Sequence, residues 1–319
     1  LPVLDVNVEP ANPIINTRAF SDDPALVTEL GLAALRGVVE GRGVTCTMHF
    51  PGHGNTRDDS HIRVPVDERP FTTLWEVDLL PYRAAFAAGL VNGVCTNHVH
   101  YPCLEPGPPA PATISRRIVT DLLRGRLGYQ GLVMSDSLTM KPMKDAYGIE
   151  EAAILTVLAG HDLILQDYAS DPRLTHAALV AAVREGRIPA SQVTASAGRV
   201  LRLKQWLGLL DDPYVDPAQL PERVATPALQ ALAREIAGYL QGKGILAVAG
   251  PLYDDDLRAR VEDPERHAAS HRLKRGVLDR LGASDPLSVG AERFNREAER
   301  YYRENLRRRH IDEAFTLLE

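Results

Sequence analysis

The chain has 319 residues, 45% of them hydrophobic and 24% charged, with a formal net charge of −6. That is the composition of an ordinary globular enzyme, and the acidic balance argues against nucleic acid as the main partner, because phosphate neutralisation needs a net basic face. No apolar run approaches the roughly 20 residues of a membrane span, and the three cysteines (Cys46, Cys95, Cys103) are too few for a disulfide framework and lack metal-ligand spacing.

The first segment, LPVLDVNV, is an apolar strand that opens without the charged start or the longer apolar region of a signal peptide. It reads as the beginning of a fragment or a processed product, so localisation cannot be read from it. A helix is expected over residues 24–40, with Val27, Leu30, Ala34 and Val38 at helical spacing on its inward face. GVTCTMHF is the next strand. After a long polar loop, a helix over residues 73–88 carries Leu74, Val77 and Leu80 inward, with Pro81 kinking it or ending a turn. NGVCTNHV is a third strand. Ser115 caps the helix that follows and Gly128 ends it. QGLVMSD is a fourth strand, followed by a helix over residues 149–159. HDLILQD is a fifth, followed by helices over residues 174–185 and 191–207. Cys46 and Cys95, inside apolar strands, are expected to be buried thiols.

Near-continuous apolar strands alternating with amphipathic helices predict a parallel sheet covered by helices. In that architecture functional groups gather beyond the C-terminal strand ends. Here the apolar runs stop at Asp5, at His49, at Asn97 and His98, at Asp136, and at Gln166 and Asp167. The pattern is that of an α/β, TIM-type (β/α)8 barrel over residues 1–210. Five strand–helix units are legible where a closed barrel has eight, so about three are expected upstream. Residues 211–226 form a Pro-rich acidic linker. Residues 227–319 begin with a helix over 227–240 and a strand in GILAVAGPLYDDD, then continue as charged helices or partial disorder. The RRRH run at 307–310 sits in text of mixed sign and reads as a solvated face.

Two stretches carry chemistry. The first, TCTMHFPGHGNTRDDSHIRVP at residues 45–65, holds three histidines and two adjacent carboxylates. The second is GLVMSDSLTM at residues 131–140. Asp59 and His61 stand two apart and point the same way in an extended loop, so the carboxylate can hold the imidazole. An imidazole titrates near neutrality, which suits a group that first donates a proton and later removes one. Asp136, beside Ser135 at a strand end, is a carboxylate that neighbouring donors can stabilise. An acid/base facing a carboxylate nucleophile is the plan of a retaining glycosidase. Each residue also has a plainer reading. His61 could be a solvated loop histidine, His53 a turn former, His98 a core histidine, His100 a rim histidine, and Asp136 a helix cap.

HFPGHGNTRDDSHIRVP at residues 49–65, with PVLDVNVEPANPIINTRAF before it and GLVMSDSLTM after it, resembles glycoside hydrolase family 3. More narrowly, it is similar to the bacterial β-N-acetylglucosaminidase branch that trims cell-wall fragments. The likeness runs from Pro2 to about Leu210. It implies a TIM-type barrel with Asp136 as nucleophile, His61 as acid/base on a mobile loop, and Asp59 as its partner. Arg18 and His49 are the implied sugar-binding groups, His98 joins that set, and Met140 lines the pocket. The family normally carries Lys before the histidine at position 49. Met48 stands there instead, removing a charged hydrogen bond worth on the order of 1.5–3 kcal/mol. GILAVAGPLYDDD resembles the first strand of the α/β sandwich domain that follows the barrel in many members.

The implied reaction is release of terminal β-linked N-acetylglucosamine, from muropeptides or chitooligosaccharides, through a glycosyl-Asp intermediate with no metal and no cofactor. The partner is a carbohydrate, and the sequence sets no oligomeric state. Three other readings stand beside it. The same site could use phosphate as acceptor, since a neutral imidazole repels phosphate less than a carboxylate does. His98, His100, His49, His53 and Asp136 could form a barrel metal site of the amidohydrolase kind. With Met48 and fewer strands, the chain could also be a degenerate, non-catalytic carbohydrate-binding protein.

Overall fold

The computed structural model describes residues 2–166, 170–214, 224 and 226–242. The chain divides into two units, Leu1–Tyr214 and Val215–Glu319.

In the first unit, β1 (Cys46–Phe50), β2 (Gly93–Thr96) and β3 (Leu132–Met134) form a parallel sheet in that order. Val3 pairs in parallel with Met48 on the outer side of β1, and Leu163 with Met134 on the outer side of β3. The five apolar segments read from the sequence therefore lie side by side in chain order, although the first and last each contribute a single bridge. Among the described residues this is an arc of parallel pairing and not a closed ring. All four residues of β2 are buried, as a central strand covered on both faces requires. Cys95 is buried within it, whereas Cys46 is half-buried and Cys103 exposed; none of the three is in a disulfide.

The helix α1 (Pro24–Glu40) matches the expected span. Asp23 caps it, accepting from the backbone N–H groups of Ala25 and Leu26, and Pro24 opens the first turn. Its inward face differs from the expected one: Val27, Gly31 and Leu35 are buried, while Leu30 is 38% exposed. The cause is close approach at Gly31, where a Cβ would lie 2.6 Å from Leu4 Cδ2. The helix is seated on its glycine instead of on its larger side chains.

The expected helix over residues 73–88 is two helices, α2 (Phe71–Glu76) and α3 (Leu79–Ala87). The chain breaks at Val77–Asp78, where the Asp78 carboxylate turns aside to meet Arg69 Nη2 at 2.7 Å. Pro81 neither kinks nor ends a helix; it lies buried in the first turn of α3. Leu79, Tyr82 and Ala85 on α3 join the main core with Leu4, Phe50, Val94, Tyr101 and Val133.

After β2, a π-helix spans Arg117–Arg126. Ser115 Oγ accepts from Ile118 N at 3.3 Å, and Gly128 leaves the segment at φ +68°, as the sequence led one to expect. After β3 comes α4 (Lys141–Tyr147), which the sequence did not announce because seven mostly polar residues carry no periodicity. Then follow α5 (Ile149–Ala159), α6 (Pro172–Arg184) and α7 (Ala190–Trp206). Asp162, its side chain fully buried, binds Arg124 and Arg199 at 2.7 Å each and so ties the π-helix and α7 to the foot of the last segment.

In the second unit, α8 (Pro227–Gly242) covers the helix expected there. The strand read in GILAVAGPLYDDD, the RRRH run, Asp167 and most of the linker lie outside the described residues.

Candidate functional site

Asp5, at the end of the first parallel segment, is gripped from the end of β1. Its carboxylate is fully buried: Oδ2 lies 2.7 Å from His49 Nδ1, and Oδ1 accepts from His53 N at 2.7 Å. Burial pushes this carboxyl up, but His49 and His53 outweigh it and hold the group below its ordinary value. Arg18 Nη2 stands 3.3 Å from His49 Nε2. A guanidinium only donates, so His49 accepts from Arg18 and donates from Nδ1 to Asp5. The expected pair of Arg18 and His49 is thus brought together, with Arg18 exposed and His49 buried. Met48 is half-buried, and its carbonyl accepts from Leu4 N at 2.7 Å. Asn97 Nδ2 donates to His49 O at 3.1 Å.

From this floor the chain rises into the Gly-His-Gly turn. The His53 ring is clasped between Thr56 Oγ1, 2.7 Å from Nδ1, and Ser60 Oγ, 2.9 Å from Nε2. Burial pushes its pKa down to about 4, against the pull of Asp5, so the ring is neutral at neutral pH. The two flanking glycines are required by close approach. A Cβ at Gly52, which has φ +148°, would sit 2.6 Å from Asp78 Cβ, and one at Gly54 would sit 1.8 Å from the Val6 carbonyl oxygen.

His61 follows Ser60 and projects outward, with its side chain 61% exposed. Asp59 Oδ1 lies 2.9 Å from His61 Nδ1 and also accepts from His61 N at 2.8 Å. The expected pair is present, but its geometry is not that of an extended loop. Ile62 N and Arg63 N both donate to Asp59 O, so the segment is a turn and the carboxylate reaches forward along it. Nε2 is left as the ring nitrogen available for proton transfer. Both ends of the loop are fastened. Pro65 O accepts from His100 N at 2.8 Å, His100 O accepts from Asp67 N at 2.9 Å, and Asn55 Nδ2 donates to Asp67 at 3.1 Å. Arg69 bridges Asp67 and Asp78 at 2.6 and 2.7 Å. Burial pushes Asp78 up to about 7 even with Arg69 opposing.

Asp136 lies just beyond β3, where its Oδ1 accepts from Ser137 N at 2.8 Å. It does not cap a helix, because α4 begins at Lys141 with Met140 at its cap position. Met140 itself is 7% exposed. His98 is fully buried, its Nε2 2.9 Å from Ser137 O and its Nδ1 3.0 Å from Thr113 Oγ1. Both nitrogens are taken up by the protein, so His98 braces the Asp136 turn instead of presenting a nitrogen to a ligand. Burial lowers its pKa while Asp136 raises it, and His61 also acts on it electrostatically. The bracing continues inward through Thr113, Thr96 at 3.0 Å, and His161 Nε2 at 2.9 Å from Thr96. Burial pushes His161 down to about 3.

The histidines of the metal reading, His49, His53, His98 and His100, which it grouped with Asp136, are each engaged by protein partners. His49 is held by Asp5 and Arg18, His53 by two hydroxyls, His98 by Thr113 and Ser137, and His100 Nδ1 accepts from Ala110 N at 3.2 Å. Among the described residues, no three His, Cys, Asp or Glu side chains are grouped to hold an ion. Nor, among those residues, is any helix long and apolar enough to cross a membrane. An open cavity of about 430 Å³ lies beside the His61 loop, between Glu9, Asn55, Arg57, Asp58 and Arg69. A larger one, about 500 Å³, lies among Trp75, Arg83, Arg126 and Tyr129, next to the segments that lead into β2 and β3 and away from the strand ends that carry the site.

Residues 1–203 match the family model described as the glycosyl hydrolase family 3 N terminal domain. The beta-hexosaminidase A of Pseudoalteromonas piscicida is 34% identical over 219 residues, covering 64% of this chain and 37% of that protein. A beta-hexosaminidase of Aromatoleum aromaticum is 39% identical over 165 residues, covering 51% of this chain and 45% of the relative. Among solved structures, a family 3 beta-N-acetylglucosaminidase from a Paenibacillus species superposes with TM-score 0.69 at 36% identity, over 74% of this chain and 45% of that one. A beta-glucoside phosphorylase shares the fold at TM-score 0.69 and 24% identity, over 74% of this chain and 44% of that one. The chain thus spans less than half the length of these relatives.

Proposed function

The chain belongs to glycosyl hydrolase family 3, its first unit having the TIM-barrel-like fold of that family's N-terminal domain, and from this we propose that it is a retaining glycosidase releasing terminal β-linked N-acetylglucosamine. The observation that carries the reading is the Asp59–His61 pair, 2.9 Å apart, on a loop fastened beside the Asp5–His49–Arg18 floor. The relatives named beta-hexosaminidase support the choice of sugar.

In this mechanism Asp136 attacks the anomeric carbon while His61 Nε2 gives its proton to the departing glycosidic oxygen. Neutral His61 then takes a proton from the incoming water as that water displaces Asp136. Asp59, bonded to Nδ1, keeps the working proton on Nε2. Arg18, exposed and held in place by His49, grips sugar hydroxyls. Met48, with no charged donor, leaves that grip to Arg18.

The test compares an aryl β-N-acetylglucosaminide with the matching aryl β-glucoside, each with and without phosphate. Faster release from the N-acetylglucosaminide, indifferent to phosphate and giving the β-anomer first, is the expected result. A glycosyl phosphate formed only with phosphate would make the protein a phosphorylase. Tight binding of N-acetylglucosamine with no turnover of either glycoside would make it a binding protein.

A further inference from the structure

One continuous set of hydrogen bonds joins the buried floor to the exposed histidine. Asp5 grips His49 Nδ1 through Oδ2 at 2.7 Å and His53 N through Oδ1 at 2.7 Å. His53 Nε2 meets Ser60 Oγ at 2.9 Å, and Ser60 is the residue directly before His61. Thr56 Oγ1 on Nδ1 at 2.7 Å, and Asn12 Nδ2 on the His53 carbonyl at 2.7 Å, fix the ring from its other side. Asp5, His53 and Ser60 are 0%, 1% and 2% exposed. Around them the loop is open: Arg57, His61, Ile62 and Arg63 are exposed, and Asp58, Asp59 and Val64 are half-buried. From residue 57 to 64, Ser60 is the one side chain buried in the body of the fold.

We propose that Ser60, His53 and Asp5 form a latch that positions the acid/base. The Ser60 hydroxyl docks the loop tip onto His53, and Asp5, by holding His49 and His53 together, sets His61 at a fixed place relative to the histidine that holds Arg18. All three are positioning residues acting through His61 and His49. The inference rests on His61 being the proton donor. It adds that the donor's placement is set from below, through its neighbour, and not by Asp59 alone.

Ser60→Ala deletes the hydroxyl without adding volume. A mispositioned acid hurts most where the leaving group needs a proton. The variant should therefore lose about 10²-fold in kcat on a phenyl β-N-acetylglucosaminide, with KM little changed, and far less on the dinitrophenyl glycoside, whose leaving group departs unprotonated. His53→Ala should show the same leaving-group signature. Equal losses on both glycosides, or no loss from Ser60→Ala, would overturn the latch.

A second readout is independent of turnover. In limited digestion with trypsin, Ser60→Ala should be cut after Arg57 and Arg63 several-fold faster than the parent at an unchanged melting temperature. Unchanged cleavage would also overturn the proposal. If the parent hydrolyses neither glycoside, the glycosidase reading fails by itself, and the cleavage rate alone decides whether Ser60 holds the loop.

Discussion

Asp136 lies beyond β3 with Ser135 and His98 fully buried beside it, whereas His61 stands on a loop tip with its side chain 61% exposed. Around the first, each ring nitrogen of His98 and the backbone N–H of Ser137 is spoken for by short hydrogen bonds. Around the second, Asp59 is the direct partner, and the rest of the support comes from Ser60 docked on His53 and from the loop's roots. The difference suits the division of labour proposed above. A nucleophile must meet one carbon along one line, so it gains from a site organised before the substrate arrives. A proton donor must admit the sugar and then close over its glycosidic oxygen, so it gains from a segment that can move.

The comparison breaks most decisively at its rigid end. Asp136→Asn should lower kcat on the N-acetylglucosaminide by about 10⁴-fold or more, with the thermal midpoint unchanged. Turnover close to that of the parent would remove Asp136 from the chemistry. At the mobile end, His61→Ala should cost about 10²- to 10⁴-fold on glycosides with poor leaving groups. Its folding stability should match the parent, because the side chain is mostly in solvent; a fall in urea midpoint would mean the loop is more integral to the fold than its exposure indicates.

Between the two lies Gly54. An alanine there would push its Cβ to 1.8 Å from the Val6 carbonyl oxygen, so the root of the loop must shift. We expect a loss of about 3 kcal/mol in urea unfolding, together with most of the activity. Full stability would show that the loop root yields easily and that the two halves are less different than they look.

The smallest expected effect concerns pH. His53 and His161 titrate at about 4 and about 3 in the folded chain against 6.5 in the unfolded one, so between pH 4 and 6.5 unfolding takes up a proton at each. His98, also lowered by burial, acts in the same direction. Asp78, raised from 3.8 to about 7, releases a proton on unfolding in that window and opposes them. With two protons taken up against one released, the unfolded state binds more, and stability should rise with pH by about 1 kcal/mol per unit across this range. Asp78→Asn should steepen the slope and His161→Asn flatten it, both measured by denaturant titration at several pH values. A slope of the opposite sign would show that Asp78 dominates.

Much of this was legible beforehand because strand ends announce themselves. A polar residue at the point where an apolar run stops pointed to Asp5, His49, Asn97 and Asp136, and all four lie at the ends of the parallel segments. Local spacing found the Asp59–His61 pair, though for the wrong backbone shape. What stayed hidden was whatever is made by contact across the fold. Thr113, Thr96 and His161 are far apart in the chain, and nothing in their neighbourhoods marks a brace beneath Asp136. Asp78 looked like one more helix residue, yet it lies at the break between α2 and α3 and meets Arg69 there. The inward face of α1 was misread for a related reason. Periodicity ranks side chains by hydrophobicity, and it cannot see that a glycine allows closer approach than a leucine.

The fastening at Arg69 has one more consequence. The His61 loop leaves the fold near Asp78 and returns at Asp67, and a single guanidinium spans both carboxylates at 2.6 and 2.7 Å. Because its two roots are stitched together, the segment between Gly54 and Asp67 can change length at small entropic cost to the rest of the chain. The exposed positions of the segment, 57, 61, 62 and 63, are therefore the ones that can change while Ser60 keeps its seat on His53.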